Sequence, residues 1–360
     1  MVARVDPSFW RDRAVLITGH TGFKGTWLVL WLRAMGARVT GLADGVPTEP
    51  SLWELAGAGA GIEDVRGDVR DHSTVLKAFD SHSPEIVFHM AAQSLVRHSF
   101  AHPRVTYETN VMGTVNVLEA VRATPSVRAV VNVTSDKCYD NSAARARRPF
   151  VEDDPMGGHD PYSSSKACAE LVADAYLRSF FASAPEGPRL GSARAGNVIG
   201  GGDYGEDRLV PDLLRGALAG AAVAVRNPDA VRPWQHVLNP LSGYLLLAEA
   251  LVASAEYQGG WNFGPTLEDA RPVRWIADRL ADLWPADLRW ESDCGPHPPE
   301  ATFLALDSTK AREQLGWTPT WTLDEAVSAI VEWYSALRSG EDVRTVTLGQ
   351  IERFATSVAA

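Results

Sequence analysis

One short stretch near the amino terminus limits the fold of this 360-residue chain more than any other feature. The apolar run at 15–17 ends at a turn that contains Gly19, Gly22 and Gly25, and an amphipathic segment follows at 27–35. This order predicts a strand, a tight glycine turn and a helix. Such a turn lets the backbone approach a diphosphate closely, and the free N–H groups of the helix start add donors and partial positive charge. The spacing G-x-x-G-x-x-G thus favours a dinucleotide site over a P-loop, which needs a Gly-Lys-Ser/Thr ending. A tight turn without a ligand stays as the alternative.

Strand-like and helix-like segments alternate through the first half of the chain. Strands are predicted at 13–18, 38–42, 65–69, 86–89, 129–133 and 192–194, and helices at 24–35, 72–80, 105–123 and 161–180. This order is typical of an α/β protein with a Rossmann-type, doubly wound parallel sheet. We therefore predict a dinucleotide-binding domain at 1–195, to which later segments return. Residues 196–360 are predicted to form mainly a smaller α/β substrate-binding lobe, with helices at 209–219, 241–253, 273–283 and 323–337.

Composition argues against several classes of protein. A net charge of −11 disfavours a nucleic-acid partner. The scattered Cys138, Cys168 and Cys294 form no disulfide framework, which favours a cytoplasmic location. The sequence shows no secretory signal and no apolar run of about 18 residues, so we expect no membrane partner. His98 and His102 are spaced for a helical metal site, but a proline follows them and no third ligand is evident, so no metal is expected.

Tyr162 and Lys166 are one helical turn apart in the predicted helix 161–180, so they share one face. We expect the lysine ammonium and the positive ring of an oxidised nicotinamide to lower the pKa of the Tyr162 phenol. The phenolate would then accept the proton of a sugar hydroxyl while the carbon loses hydride. A surface tyrosine and lysine is the simpler interpretation, but the upstream glycine turn favours the catalytic one.

Ser135, Asp136 and Lys137 come directly after the predicted strand 129–133. Catalytic groups gather at the carboxyl ends of parallel strands. These side chains offer a hydrogen-bonding hydroxyl, a proton donor and a base. A polar strand-to-loop turn explains the same residues equally well.

Taken in order, these residues resemble the extended short-chain dehydrogenase/reductase family. The resemblance is carried by the glycine turn, the segment 89–93, Asn110, Tyr162 and Lys166. Within that family the chain is most similar to the nucleotide-sugar 4,6-dehydratases that act on CDP-glucose. The matching segments are GHTGFKG (19–25), AAQSLVRHS (91–99), TSDKCYDN (134–141), DPYSSSK (160–166), RAGNVIGGGD (194–203), EDRLVPD (206–212), RPWQHVL (232–238), NFGP (262–265) and LDSTKAREQLGW (306–317). Sister enzymes acting on dTDP-glucose typically have Thr-Asp-Glu where this chain has residues 135–137.

The resemblance implies an internal redox cycle of NAD with loss of water. It assigns Tyr162 and Lys166 to oxidation at C4, Ser135 to a hydrogen bond with O4, Lys137 to proton removal at C5 and Asp136 to protonation of the departing C6 hydroxyl. Other epimerases, reductases or decarboxylases of the family would keep Tyr162 and Lys166 without needing the acid and base. A non-catalytic NAD-binding regulator is the remaining alternative, although it would have no reason to retain that pair.

For the cofactor, an acidic residue near the end of the second strand favours NAD over NADP, and Asp44 is the candidate. The resemblance implies further contacts of NAD with Tyr162 and Lys166 and with residues that follow three strands. These are Gly19, Thr21, Gly22, Phe23, Lys24, Asp68, Val69, Ala91, Ala92 and Gln93.

For the substrate, a small-molecule nucleotide sugar, the resemblance implies contacts with Asn197, Arg208, Arg232, Gln235 and His236. A turn residue in a glycine-rich loop is the alternative for Asn197, and a structural histidine is an equally good interpretation of His236. It also implies a homodimer, or a tetramer, formed through the helix of Tyr162 and its neighbour. The apolar positions 168, 171, 172 and 175 suit such a contact, or packing on the chain's own sheet.

Two departures from the family pattern bear on substrate choice. Asn239-Pro240 stands where Glu-Pro is usual, and two prolines separate His297 from Glu300.

Overall fold

The structure is a computed structural model that describes residues 2–142, 148–182, 187–293, 295 and 303–357. The strands are β1 (Ala14–Thr18), β2 (Arg38–Ala43), β3 (Glu63–Arg66), β4 (Ile86–His89), β5 (Ala129–Val133), β6 (Arg189–Arg194), β7 (Val198–Ile199), β8 (Val223–Val225), β9 (Val231–Pro233), β10 (Gln235–His236), β11 (Gly259–Asn262), β12 (Ala270–Pro272) and β13 (Trp290–Ser292). The helices are α1 (Pro7–Trp10), α2 (Phe23–Ala34), α3 (Leu52–Leu55), α4 (His72–His82), α5 (Val96–Ala101), α6 (Pro103–Tyr107), α7 (Gly113–Ala123), α8 (Pro161–Tyr176), α9 (Leu209–Ala219), α10 (Leu238–Ala253), α11 (Val273–Leu283), α12 (Thr309–Gln314), α13 (Leu323–Arg338) and α14 (Val343–Ser357). Single π-helical turns at Glu108–Met112 and Leu177–Phe181 extend the helices that adjoin them.

Seven parallel strands of the described chain form the central sheet, in the order β3–β2–β1–β4–β5–β6–β11. The first six follow the order of the Rossmann fold, so the predicted α/β class and doubly wound sheet are confirmed. The seventh, β11, comes from the later half of the chain and pairs with β6. Short two-strand pairs, β7–β10, β8–β13 and β9–β12, lie outside this sheet.

Alternating side chains of β1 explain the layers on either side of the sheet. Val15 and Ile17 point into the larger apolar cluster, which also contains Trp27 of α2. Leu16 points into the opposite cluster, with Val87 and Val130 of the neighbouring strands. Successive strand residues face opposite sides, so a fully apolar strand is what a sheet covered by helices on both faces requires.

The third strand differs from its predicted bounds. It occupies Glu63–Arg66 rather than 65–69. Its residues are mostly exposed because it is the edge strand. Gly67 still bonds its N–H to the Ala43 carbonyl, after which the chain turns and brings Asp68 to the end of the sheet. An exposed edge strand lacks the apolar pattern that marks a buried strand. For this reason the sequence-based prediction began the strand at residue 65 instead of residue 63.

Candidate active site

A cavity of about 1740 Å³ lies at the carboxyl ends of the central strands. Its walls include the turns after β1, β2, β3, β4 and β5 and the loop after β6. A crevice outside the carboxyl ends of parallel strands is the general ligand position in this type of fold.

The glycine turn after β1 brings the backbone close to neighbouring segments. Gly19 has a φ of +73°, and a Cβ there would lie 2.8 Å from the Cα of Ala91. A Cβ on Gly25 would lie 2.3 Å from the Gly19 carbonyl oxygen. Gly22 caps α2 without a side-chain hydrogen bond, so the first N–H groups of the helix keep their capacity to bind an anion. The turn therefore fits a diphosphate, and Thr21, Phe23 and Lys24 line the cavity beside it.

The remaining residues expected to hold the cofactor also line this cavity. They are Asp44, Asp68, Val69, Ala91, Ala92 and Gln93. A side-chain hydrogen bond from Arg70 is the largest of the causes that lower the pKa of Asp68. Asn110 holds Gln93 in place: its Oδ1 accepts the Gln93 N–H at 2.8 Å and its Nδ2 donates to the Gln93 carbonyl at 3.0 Å. The set matches a dinucleotide that runs from the glycine turn to the acidic ends of β2 and β3.

The five expected catalytic residues all line this cavity. Ser135, Asp136 and Lys137 follow β5, whereas Tyr162 and Lys166 lie in the first turns of α8. Asp160 caps α8 through Ser163, and Ser99 accepts the Tyr162 N–H at 3.1 Å.

Burial governs the protonation of the pair on α8. It raises the pKa of Tyr162 to about 12, although a hydrogen bond with Ser135 acts against it. It lowers the pKa of Lys166 to about 8. The pKa of the Tyr162 phenol is therefore raised rather than lowered in the protein by itself, because loss of hydration outweighs the effects that favour the phenolate. The positively charged ring of the oxidised cofactor is the other group that we expect to lower the pKa of Tyr162.

Asp136 is 1% exposed, and one of its oxygens has no protein partner. Its Oδ1 accepts from the Ser135 hydroxyl at 3.0 Å and lies 3.9 Å from Nζ of Lys137. Its Oδ2 makes no hydrogen bond, although it is buried. A buried carboxylate oxygen is costly to leave unpaired, and since Asp136 lines the cavity, a ligand group there is a suitable partner for this carboxyl.

Lys24 lines the cavity and also contacts α10. Its Nζ donates to the Tyr244 hydroxyl at 3.3 Å. Burial, followed by the charges of Lys166 and Arg208, lowers the pKa of Lys24 to about 7. Three cationic groups thus converge on this cavity, which suits an anionic ligand.

The expected substrate residues divide into two groups. Asn197, Arg208 and Arg232 line the cavity, and the Asn197 Oδ1 is buried without a partner. The structure does not bring Gln235 and His236 there.

Both of these side chains are packed into the protein interior instead. Gln235 donates from Nε2 to the Phe263 carbonyl at 2.7 Å. The His236 ring lies 4.8 Å from the Trp321 ring and 5.6 Å from the Trp27 ring, centroid to centroid. The expectation of substrate contacts is corrected for these two positions, because β10 turns their side chains toward the core.

Asp203 and Ser94 are site residues that the sequence reasoning missed. Both Asp203 oxygens accept from Nη1 of Arg208 at 3.1 Å, and Ser94 accepts from its Nη2 at 3.0 Å. Asp203 is the last residue of the matched segment 194–203. A search of that segment for an acidic partner of Arg208 could therefore have identified it from the sequence.

Asn239, which stands where the family usually has glutamate, does not line the cavity. Its Oδ1 accepts the N–H groups of Thr320 and Trp321 at 2.9 and 3.1 Å, and its Nδ2 donates to the Trp321 carbonyl at 2.8 Å. Asn239 therefore ties α10 to the segment before α13. The departure at 297–300 lies outside the described residues, as does Cys294.

Neither a metal centre nor a membrane segment is found among the described residues. No three His, Cys, Asp or Glu side chains there are grouped to hold a metal ion. No helix in the same ranges has the length and apolar character to cross a bilayer.

Comparison with known proteins gives consistent matches. Residues 15–262 match the model of the NAD dependent epimerase/dehydratase family. The chain is 51% identical over 347 residues to the CDP-glucose 4,6-dehydratase of Salmonella typhimurium, covering 94% of this chain and 95% of that protein. It is 28% identical to the dTDP-glucose 4,6-dehydratase of Xanthomonas campestris, covering 89% and 92%. The crystal structure of DesIV, a dTDP-glucose 4,6-dehydratase from Streptomyces venezuelae with NAD bound, superposes with a TM-score of 0.77 at 25% identity, covering 92% of this chain and 99% of that one.

Proposed function

The chain belongs to the NAD dependent epimerase/dehydratase family, and on that premise we propose that it converts CDP-glucose to CDP-4-keto-6-deoxyglucose with loss of water. The substrate assignment is supported by the 51% identity to the Salmonella enzyme. In this proposal residues 1–195 hold most of the cofactor, and residues 196–360 supply most of the contacts to the nucleotide sugar.

The observation that carries the proposal is the environment of Asp136. A buried carboxyl with one unpartnered oxygen stands beside an amine, Lys137, in the same cavity as Tyr162 and Lys166. Oxidation at one carbon needs only the tyrosine and the lysine. Elimination of water needs in addition an acid for the leaving hydroxyl and a base for the neighbouring carbon.

The first half of the reaction uses the residues of α8 and Ser135. When bound, NAD supplies the acceptor for a hydride from C4 and the source of the hydride that later reaches C6. Tyr162 takes the proton from O4, and Ser135 holds O4 by a hydrogen bond. Lys166, whose amine reaches the Val133 carbonyl at 3.3 Å, holds the cofactor ribose and its charge favours the phenolate.

The second half uses the residues after β5. The 4-ketone makes the hydrogen at C5 acidic, and Lys137 in its neutral form removes that proton. Asp136 in its protonated form gives a proton to O6, so that the C6–O6 bond breaks and water leaves. After C6 has regained a hydride, a proton returns to C5. The sum is loss of one water with no net oxidation.

Positive charge in the cavity supports an anionic substrate. Lys24, Arg208 and Arg232 line the same cavity, and guanidinium groups are suited to gripping phosphate oxygens. We assign Arg208 and Arg232 to the diphosphate and nucleotide part of the substrate, together with Asn197.

The test is incubation of the purified protein with CDP-glucose, followed by the alkali-induced absorbance of a 4-keto-6-deoxy sugar. Substrate with deuterium at C4 should give product with deuterium at C6, whereas reaction in heavy water should place deuterium at C5. An epimerase would return the C4 deuterium to C4 and release no water. Intact CDP-glucose after incubation would reject the proposal.

We also propose that the protein is a homodimer in the cytoplasm. On α8, Leu171 is 60% exposed and Cys168 is half-buried, whereas Val172 packs partly against the chain's own core, so the face at Leu171 is left open. On the neighbouring helical segment Met112 is 50% exposed. Light scattering should give the mass of a dimer, and Leu171→Glu should yield a monomer. Leu267→Glu, at an apolar residue that is 61% exposed elsewhere, is the matched control and should stay dimeric. A monomeric unmodified protein would reject the dimer.

A further inference from the structure

A buried ion pair lies directly behind the catalytic groups and has no part in the chemistry described above. Arg194, the last residue of β6, donates from Nε and Nη2 to the two carboxylate oxygens of Glu170 on α8, at 3.0 and 2.9 Å. Each residue is 5% exposed, and neither lines the cavity. A Cβ on Gly260 would lie 2.3 Å from Nη2 of Arg194, so the neighbouring strand leaves room for the guanidinium only because it has a glycine there.

Glu170 holds the beginning of the segment that carries Ser135, Asp136 and Lys137. Its Oε1 also accepts a short hydrogen bond from the Thr134 hydroxyl. One turn earlier on the same helix, Lys166 donates to the carbonyl of Val133. Helix α8, which carries Tyr162, is thus hydrogen-bonded to Val133 and Thr134, the two residues just before the catalytic triplet.

Arg194 holds the other end of that segment. Its Nη1 donates to the Tyr139 hydroxyl at 2.7 Å and to the Glu152 carbonyl at 2.8 Å. The Tyr139 hydroxyl in turn donates to Oδ1 of Asn262 on β11 at 2.7 Å. One ion pair therefore contacts both Thr134 and Tyr139, the residues on either side of the catalytic triplet and its following cysteine.

Stability alone is a poor reason for such a pair. Taking two charges out of water costs about as much free energy as their attraction returns, and apolar side chains of similar volume often stabilise a core as well or better. Apolar side chains would not fix direction, however, whereas a two-point guanidinium–carboxylate contact has defined geometry. The arrangement is therefore better explained by placement of the groups it touches.

We propose that Glu170 and Arg194 are positioning residues that hold the segment 134–139 at a fixed distance from α8, so that the base and acid of the elimination face C5 and O6 while Tyr162 faces O4. This inference rests on the proposed dehydratase function. It assigns the pair to the relation between two catalytic elements rather than to either element alone.

The most selective test removes a contact at one end of the segment and leaves the ion pair intact. Thr134→Val keeps the volume but loses the hydroxyl that bonds Glu170, whereas Thr134→Ser keeps the hydroxyl. Misplacement of a reacting group by about 1 Å costs on the order of 100-fold in rate. We therefore expect Thr134→Val to lower kcat by about 10- to 100-fold with KM changed less than about 2-fold, and Thr134→Ser to restore most of kcat. Tyr139→Phe, at the other end, should act in the same direction.

Single-turnover spectra distinguish positioning from general loss of structure. With the segment displaced from α8, oxidation at C4 loses only the Ser135 contact to O4, whereas elimination loses the placement of both its acid and its base. Elimination should therefore slow more than oxidation, and the absorbance of the reduced cofactor should accumulate. Thermal unfolding of each variant should be recorded alongside. Equal slowing of both steps, or a kcat for Thr134→Val within 2-fold of the unmodified protein, would overturn the inference alone. No product from CDP-glucose with the unmodified protein would overturn the proposed function, and this inference with it.

Discussion

Two sides of the same cavity are held in place by different physical means. The catalytic wall, residues 134–139 with 162–170, is fastened by buried hydrogen bonds and by the buried Glu170–Arg194 pair. The substrate wall, residues 203–208 with Arg226, is buried at Asp203, which accepts from the Tyr334 hydroxyl and pairs with Arg208, but its outer part is held by ion pairs that reach solvent. Asp207 bonds Arg97 at 2.8 Å with both side chains more than 40% exposed, and it lies 3.9 Å from Arg226.

The difference indicates which wall is fixed before substrate binds. Exposed ion pairs contribute about 0–1 kcal/mol and are screened by salt, since the Debye length is about 8 Å at physiological ionic strength. Breaking a buried pair costs about 3–5 kcal/mol. The catalytic wall is thus rigid, whereas the substrate wall can exchange the exposed ion pairs of Asp207 for contacts with phosphate at little cost.

The largest effect is expected at the tyrosine of the catalytic wall. Tyr162→Phe removes the group that takes the O4 proton, so kcat should fall by about 10²–10⁴-fold. The matched control is Tyr204→Phe on the substrate wall, where the residue also lines the cavity but has no assigned part in proton transfer. Its kcat should change less than about 3-fold in steady-state assays with CDP-glucose. Similar losses in both variants would erase the distinction between the walls.

A second pair of variants compares one carboxylate from each wall. Asp136→Asn cannot protonate O6, so elimination should slow by about 100-fold or more while oxidation at C4 is slowed much less. Asp203→Asn weakens the ion pair with Arg208 and should raise KM with little change in kcat. Single-turnover and steady-state kinetics measure the two effects. Equal loss of oxidation and elimination in Asp136→Asn would contradict the role of the acid.

Asn239 lies outside both walls, so a substitution at this residue tests the stability of the protein separately from its catalysis. Asn239→Ala removes one donated and two accepted hydrogen bonds from a fully buried site. The free energy of unfolding should fall by about 2–3 kcal/mol, because the groups it bonds are left unpaired. Urea denaturation measures this loss, and Glu341→Ala at an exposed position should change it by at most about 0.5 kcal/mol. A lower kcat in folded Asn239→Ala protein would show that catalysis depends on general stability.

The smallest effect is expected for the exposed ion pairs. Asp207→Asn removes the partner of Arg97 and Arg226, and KM should change by at most about 5-fold at low salt. The difference from the unmodified protein should shrink as salt is added, because screening already weakens these pairs. KM measured over a range of ionic strength provides the test. A large, salt-independent loss of kcat would mean that this wall is as rigid as the other.

Features that depend on neighbouring residues in the chain were predictable from the sequence. The turn after β1, the bounds of β4 and β5, and the helical face of Tyr162 and Lys166 are all confirmed. Each rests on glycine spacing, a run of apolar residues or helical periodicity, which are local signals.

Features that depend on contacts between distant segments were not predictable in the same way. Gln235 and His236 share a sequence block with Arg232, yet only Arg232 reaches the cavity, because strand and turn geometry decide which side chains face it. The pKa of Tyr162 depends on the depth of its burial, which the sequence does not reveal. The pairing of Glu170 with Arg194 joins a helix to a strand end, and no spacing rule relates the two.

The return of β11 to the sheet has a consequence for how the chain is made. Until Gly259–Asn262 has left the ribosome, the strand that ends in Arg194 has one open edge, and the Tyr139 hydroxyl lacks its acceptor on Asn262. Open strand edges are sites of aggregation. Completion of the sheet therefore waits for the later half of the polypeptide, and a nascent chain stalled or cut near residue 195 should be a target for chaperones.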